Sequence, residues 1–389
     1  MFYEITLNKL LKSLEEIKYG VLELTTPEGK KYIFEGKEEG PRADIKIHDL
    51  SIITNAVAKG DVGFAEDYRD GKWDSDNLSS LLYLIIKNDS VFDEYFYGNS
   101  IYKYIAKLYY FFNSNTLRGS KRNIHAHYDL GNEFYSLWLD ETMTYSSAIF
   151  KNKNEDLSQA QNNKYDRILD IIGNKSCNIL EIGCGWGGFA ERAVREGDHK
   201  IKGITISNQQ YNFAKERISN ICQNSNIVIE DYRKQNGKFD NIVSIEMFEA
   251  VGEKYWPIYF SKIASLLKDK GQAIIQTITI KDDLFEAYRK SGDMIRSFIF
   301  PGGMLPSQAR FEHEANKAGL KISDKFDFGT HYALTLDKWL KNFDAQIRKI
   351  KMLGFDEKFI RIWRLYLSTC IASFSSERTN VMQVSLGHA

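Results

Sequence analysis

The sequence predicts an α/β protein: a doubly wound sheet in the larger C-terminal part, preceded by a small mixed α+β domain. Three observations carry this. The apolar run Asn178–Ile182 ends in Gly183-Cys184-Gly185-Trp186-Gly187-Gly188 and passes directly into a helix-forming stretch. Strand, glycine turn and helix in that order open a nucleotide-binding unit, because glycines let the backbone approach a ligand and the helix N-terminus offers free N–H groups. From Asn123 onward strand and helix patterns alternate, as a sheet with helices on both faces requires. Ahead of it, Val21–Thr25 and Lys31–Phe34 flank Thr26-Pro27-Glu28-Gly29, a hairpin signature.

Taken in order, residues 1–113 form the N-terminal domain. The hairpin is followed by a strand at Ala43–Ile47 and by helices around 50–59 and 77–88, separated by Gly60–Gly63 and Asp70–Trp73. Ile101–Phe112 is a helical stretch rich in tyrosine and phenylalanine. From Ile101 to Arg122 there is no acidic residue, while Lys103, Lys107, Arg118, Lys121 and Arg122 are present. Basic residues among aromatics suit an anionic membrane surface. Aromatics packed in a core under a solvated lysine face give the same pattern. Residues 114–122 form the linker, polar and glycine-containing. In 123–389 the strands are Asn178–Ile182, Lys200–Ile206, Ile227–Glu230, Asn241–Ile245 and Gln272–Thr279, with helices near 188–195, 208–219 and 255–268. Thr330–Leu336 is expected as a late strand, and 338–352 and 356–374 as helices.

Apolar residues make up 43% and charged residues 27% of the chain, as in soluble globular proteins. A formal net charge of zero gives no electrostatic case for nucleic acid. Cys177, Cys184, Cys222 and Cys370 lack Cys-x-x-Cys spacing, which fits reduced thiols in a cytoplasmic protein better than disulfides or a zinc site. There is no basic-then-apolar leader and no uninterrupted apolar run of about 18 residues, so neither secretion nor a membrane span is expected.

The glycine turn narrows the cofactor. A nicotinamide site needs Gly-x-Gly-x-x-Gly and a carboxylate roughly 20 residues on; here the spacing is Gly-x-Gly-x-Gly and the second strand ends Ile204-Thr205-Ile206-Ser207 without an acid. No Gly-Lys-Ser/Thr follows, which excludes a P-loop. Glu181 would repel a pyrophosphate but suits a ligand carrying an ammonium and a sulfonium, such as S-adenosylmethionine (SAM). Glu230-Asp231-Tyr232-Arg233 ends the third strand, where an adenine amino group can be read.

At this point the chain resembles the cyclopropane-fatty-acyl-phospholipid synthases, a branch of the SAM-dependent methyltransferases that also contains the mycolic acid cyclopropane synthases. The matching stretches are His127–Asn132, Thr144–Ser147, the glycine loop, Ile204–Ser207, Asp231–Arg233, Ser244–Gly252, Ile299–Gly303 and His331–Leu336, in family order over nearly all of 123–389. Gly60–Trp73 resembles the small N-terminal domain of the phospholipid-acting members. The resemblance implies a class I methyltransferase, Rossmann-like, behind an N-terminal lipid-handling domain. It implies SAM contacts at Tyr145, Ser146, Gly183, Gly185, Gly187, Thr205, Gln210, Asp231 and Tyr232, beside Glu181.

It also implies a chemistry. The double bond of an acyl chain attacks the sulfonium methyl, and a base then removes a proton from the carbocation, from the new methyl to close a cyclopropane or from a neighbouring carbon to leave a methyl-branched alkene. The family's base is a bound bicarbonate, held by Cys, Glu, His and Tyr side chains. Glu249 and Tyr332 match that set. Ser147 replaces the Cys, Gln276 the His, and Ala250 a further His. Two readings remain: bicarbonate held by Ser147 and Gln276 as hydrogen-bonding groups, or Glu249 acting directly as base. Glu249 as a purely structural carboxylate is the plain alternative, as packing or helix capping is for His125 and His127, packing for Trp186, and a simple turn for Ile299–Gly303, which otherwise forms a lid or acyl-channel wall with Phe300 near the cation.

The expected partners are unsaturated phospholipid acyl chains, met by a cytoplasmic protein transiently at the inner membrane surface; a homodimer is left open. The competing functions are a small-amine N-methyltransferase, since plant alkaloid N-methyltransferases resemble this family, and a non-catalytic lipid-binding protein with a methyltransferase fold.

Overall fold

The computed structural model describes residues 2–96, 115–116, 119–120, 130–173, 175–197 and 199–389. The chain divides into two units, one of Met1–Phe112, Ala287–Pro301 and Ile347–Arg378, the other of Asn113–Glu286, Gly302–Gln346 and Thr379–Ala389. This differs from the division into 1–113 and 123–389, because the helices Met294–Phe298 and Glu357–Ser375 fall in the first unit. Nor are Asn115 and Ser120 a free linker. They belong to the second unit, where Asn115 Nδ2 donates to Gly302 O (2.7 Å) and Arg233 donates to Asn115 O (3.0 Å) and Ser120 Oγ (3.3 Å).

In the first unit, β1 (Tyr19–Thr25), β2 (Lys31–Glu35), β3 (Glu38–Ile47) and β4 (Trp73–Asp74) form a sheet in the order β2-β1-β3-β4. The hairpin is as expected: β1 and β2 pair antiparallel, and Gly29 closes the turn at φ 82° by donating to Thr26 O (2.9 Å). Helices Ser51–Lys59 and Leu78–Lys87 also appear where expected. Between them the sequence suggests only separators, yet Asp61–Arg69 is helical. Gly63 is a crossing point rather than a loop residue, since a Cβ there would stand 2.5 Å from Asn55 O on the preceding helix.

The second unit carries a seven-stranded sheet in the order β10-β11-β9-β8-β5-β6-β7. Here β5 is Asn178–Ile182, β6 Lys200–Thr205, β7 Asn226–Ile229, β8 Phe239–Ile245, β9 Leu267–Ile280, β10 Leu320–Asp327 and β11 Thr379–His388. β5 to β9 run parallel, and β11 pairs antiparallel with both β9 and β10. The five parallel strands lie where the sequence places them, with helices Gly188–Gly197, Asn208–Ser219 and Trp256–Leu266 between them. Ile179, Ile201, Ile227, Val243 and Ile274 from the strands meet Phe189, Ala193, Ala214 and Ile218 from the helices in one core.

Thr330–Leu336 is not a strand. It lies in the helix Gly329–Ala345, whose buried residues Tyr332, Thr335, Leu336, Trp339 and Phe343 recur at three- and four-residue spacing, the helical rather than the strand period. The late strands are β10 and β11 instead. β5 stands between β6 and β8, where the direction of winding reverses, and a ligand crevice opens outside the carboxyl ends of such strands.

Candidate active site

That crevice holds a cavity of about 160 Å³ that opens to solvent. The glycine turn forms one wall. Gly183 sits at φ 80° and Gly185 at φ 52°, a region that side chains other than glycine rarely occupy. A Cβ on Gly183 would also stand 2.7 Å from Met247 Cγ, whereas one on Gly185 would meet nothing, so the backbone at Gly185 is open to a ligand. Gly183 N and Cys184 N both donate to Ile204 O, at 2.9 and 3.0 Å, pinning the turn to β6. Gly187, expected to touch cofactor, does not line the cavity. It donates to Cys184 O (2.9 Å) and faces the helix Asn208–Ser219, where an added Cβ would lie 3.1 Å from Ala214 Cβ; it closes the turn.

Glu181, Tyr145, Ser146, Gly183, Gly185, Thr205, Gln210, Asp231 and Tyr232 all line the cavity. Glu181 is 3% exposed, and its Oε2 has no hydrogen-bond partner among the described residues. Burial pushes its carboxyl up to about 8, against the pull of Lys164. A buried carboxylate oxygen lacking a partner is costly, and at a cavity wall it fits the cationic part of a ligand. Thr205 Oγ1 donates to Gln210 Oε1 (2.9 Å), fixing the amide. Asp231 is held by a two-pronged contact with Arg233, Nε to Oδ1 at 2.8 Å and a terminal nitrogen to Oδ2 at 2.6 Å. Glu230 pairs with Lys202 at 3.0 Å. The Tyr145 ring packs against Tyr135, Trp138 and Trp339, with centroids 5.3–5.5 Å apart. Behind Ser146, the fully buried Lys164 donates to Ser146 Oγ and Gln161 Oε1, each at 2.7 Å. Burial pushes its ammonium down to about 7.

The structure gathers three of the four expected catalytic positions around a residue not among them. Ser147 N (2.8 Å) and Gln276 Nε2 (2.7 Å) donate to Oε1 of Glu246, and Tyr332 Oη donates to its Oε2 (2.6 Å). Glu246 follows directly on β8, lines the cavity and holds a left-handed backbone at φ 48°. Burial pushes its carboxyl above the usual range, opposed by these three donors and by Lys164. The Ser147 hydroxyl takes no part, donating to Ala148 O (3.2 Å). Glu249, by contrast, is engaged by β9: its Oε1 accepts from Ile278 N (2.5 Å) and Thr277 Oγ1 (3.0 Å). Glu249 does not line the cavity, although Ala250 does. Its Oε2 is buried without a partner among the described residues, and burial together with the charge of Glu246 pushes it up to about 8.

His125, His127, Ile101–Phe112 and the basic residues Lys103, Lys107, Arg118, Lys121 and Arg122 lie outside the described residues. Trp186 donates its Nε1 to Asn132 Oδ1 (2.7 Å) and packs on Tyr135. Phe300 belongs to the first unit, where its ring meets Tyr366 edge-on, and Gly302 to the second. Among the described residues no cluster of His, Cys, Asp and Glu is arranged to hold a metal ion, and no helix is long and apolar enough to cross a membrane.

The family model for mycolic acid cyclopropane synthetase matches residues 115–384. The tuberculostearic acid methyltransferase of Mycobacterium tuberculosis is 35% identical over 370 residues, covering 89% of this chain and 84% of that protein. The cyclopropane-fatty-acyl-phospholipid synthase of Escherichia coli K12 is 31% identical over 349 residues, covering 88% and 87%. Among solved structures, a mycolic acid cyclopropane synthase bound to S-adenosylhomocysteine (SAH) and CTAB superposes with a TM-score of 0.64 at 30% identity, over 68% of this chain and 97% of that one.

Proposed function

The chain belongs to the mycolic acid cyclopropane synthetase family of SAM-dependent methyltransferases, and from that premise we propose that it transfers one carbon from SAM to the double bond of unsaturated acyl chains in phospholipids, giving cyclopropane or methyl-branched chains. It is an enzyme, and SAM is its methyl donor. The observation that carries the reading is Glu181, a buried carboxylate with an unpartnered oxygen beside a glycine turn open to a ligand.

Bound SAM supplies an electrophilic methyl carbon on a sulfonium. The chain's residues do the rest. Glu181 receives the ammonium, Gly183 and Gly185 let the backbone lie against the ligand, and Thr205, Gln210, Asp231 and Tyr232 form the wall for the adenosine. An isolated alkene is a weak nucleophile, so its placement against the methyl carries much of the barrier. The aromatic wall of Tyr145 and its neighbours keeps water from the cation and can stabilise it through ring faces.

The phospholipid, the cytoplasmic membrane surface and a homodimer are proposals too. The phospholipid is supported by the named substrate of the Escherichia coli relative. The lipid-handling role of the first unit is supported by a cavity lined only by apolar side chains, among them Leu14, Leu22, Leu24, Ile47, Phe64 and Leu81.

The test is mass spectrometry of total fatty acids from a host lacking its own cyclopropane synthase, grown with methyl-labelled methionine. Labelled chains one methylene heavier than the parent monoene support the reading. Resistance to mild hydrogenation marks ring closure, and hydrogen uptake to a branched chain marks methyl addition. Absence of label in lipid overturns it in favour of an amine methyltransferase or a non-catalytic lipid binder.

A further inference from the structure

We propose that Glu246 is the general base of this reaction, a carboxylate built into the chain where a proton must be taken from the carbocation. The proposal rests on the acyl-methylating reading above and adds the residue that ends the chemistry.

Geometry carries it. Glu246 lines the same cavity as Glu181 and the glycine turn. Ser147, Gln276 and Tyr332, the positions that the resemblance gives to a bound bicarbonate, all direct a donor at this one side chain. The Gln276 orientation is fixed from behind, because its Oε1 accepts from Gln383 Nε2 (2.9 Å), whose own Oε1 accepts from Arg167 (3.1 Å). The amide NH2 of Gln276 therefore has to face Glu246. Counting lone pairs, Oε1 takes two hydrogen bonds and Oε2 takes one, which leaves acceptor capacity on Oε2. The backbone at Glu246 is held at φ 48°, a left-handed region that a side-chain-bearing residue seldom occupies. Glu246 N donates to Gln276 O (2.8 Å), so the contact with β9 is kept at this residue. The charged and titratable groups around the carboxylate are Lys164, Glu249 and Tyr332; with Glu249 engaged by β9, Glu246 is the one turned to the cavity.

The step balances without a redox partner. The alkene π pair forms the bond to the methyl carbon while the carbon–sulfur bond breaks, its electron pair going to sulfur, and the other alkene carbon becomes the cation. A C–H bond on the new methyl, or on the carbon beside the cation, then gives its electron pair to the cation and its proton to Glu246 Oε2. The first closes a ring and the second leaves a methyl-branched alkene. Bicarbonate is not needed.

The full-length protein is assayed on vesicles of monounsaturated phospholipid with methyl-labelled SAM in carbon-dioxide-free buffer. The wild type is expected to work equally well with and without added bicarbonate. Glu246→Gln is expected to lose at least about 100-fold in labelled product while binding SAH within about threefold of wild type by calorimetry. Its residual labelled lipid should include hydroxylated, methyl-bearing chains, formed when water captures a cation that no base relieves; a merely structural role would not change the product. Glu246→Asp should restore the ordinary product at a rate about tenfold below wild type. A wild-type rate that collapses without bicarbonate and returns with it overturns the proposal, as does a Glu246→Gln enzyme of wild-type rate and product. If Glu246→Gln does not fold, the wild-type bicarbonate response and Glu246→Asp still decide. A wild type that labels no lipid under any condition overturns the underlying reading instead.

Discussion

Tyr332 Oη donates a 2.6 Å hydrogen bond to Oε2 of Glu246 across 86 residues of sequence. The pair joins a helix that the sequence disguises as a strand to the carboxyl end of β8. Removing the hydroxyl alone tests what the contact does. Tyr332→Phe keeps the ring, which meets Trp339 edge-on at 6.1 Å, so the fold should hold. A hydrogen bond to a charged group contributes about 1.5–3 kcal/mol, and losing it should slow labelled-lipid formation about ten- to hundredfold with SAH affinity unchanged. An unchanged rate would show the hydroxyl to be idle.

Glu181 makes a prediction with two opposite signs. Its carboxyl, ordinarily near 4.5, is pushed up to about 8 by burial. Between those values the folded, ligand-free protein holds a proton that the unfolded chain gives up, so this group makes stability fall as pH rises through that window. Glu181→Gln removes the penalty. At pH 8 the ligand-free variant should melt at least about 2 °C higher than wild type, read by calorimetry, while SAM affinity drops at least about tenfold because the ammonium loses its carboxylate. A variant that is less stable at pH 8, or that binds SAM normally, contradicts the assignment.

Those two residues were unequally legible in the sequence. Glu181 stands at the end of an apolar strand before a glycine turn, so strand period and turn chemistry place it. Glu246 has no such signal: four stretches, at 147, 246, 276 and 332, meet only in three dimensions, and its left-handed backbone leaves no mark in a one-letter string. β5 to β9 are apolar enough to read as buried parallel strands. β10 reads Leu-Lys-Ile-Ser-Asp-Lys-Phe-Asp and is mostly exposed at a sheet edge, so its pattern resembles a loop. β11 carries the buried polar residues Gln383 and Ser385, which pair with Gln276 and Gln272; a partner far along the chain hides the reason for them.

Glu249 separates structural from chemical roles. Burial and the charge of Glu246 push it up to about 8, in the direction of the neutral carboxyl. Its Oε1 accepts from Ile278 N and Thr277 Oγ1. Glu249→Gln keeps an acceptor for both and should hold stability within about 0.5 kcal/mol. Glu249→Ala strands a buried N–H on β9 and should cost about 1–3 kcal/mol. Urea unfolding of both variants at pH 7 checks this; equal losses would mean that the carboxyl group itself, rather than its acceptor oxygen, supports the fold.

The discontinuous first unit bears on any attempt to isolate the N-terminal domain. Arg361, on the helix Glu357–Ser375, donates to the carbonyls of Tyr68 (2.5 Å) and Trp73 (2.9 Å), pairs with Asp74 (2.8 Å) and lies 4.0 Å over the Tyr68 ring. That helix packs on Asp61–Arg69 and Leu78–Lys87, and its buried residues include Ile360, Trp363, Tyr366 and Leu367. A fragment ending at residue 112 would lack this helix and expose the apolar faces it covers. Small domains have little stability to lose, so the fragment should show no cooperative urea transition and should bind a hydrophobic dye. In the full chain, Arg361→Ala takes one donor from the carbonyls of Tyr68 and Trp73 and from Asp74, although Tyr68 O still accepts from Gly71 N (3.0 Å) and Asp74 still pairs with His48 (2.9 Å), and should lower stability by about 1–2 kcal/mol. A cooperative fragment, melting as the first unit does in the intact protein, would show that the helix is an accessory to this core rather than part of it.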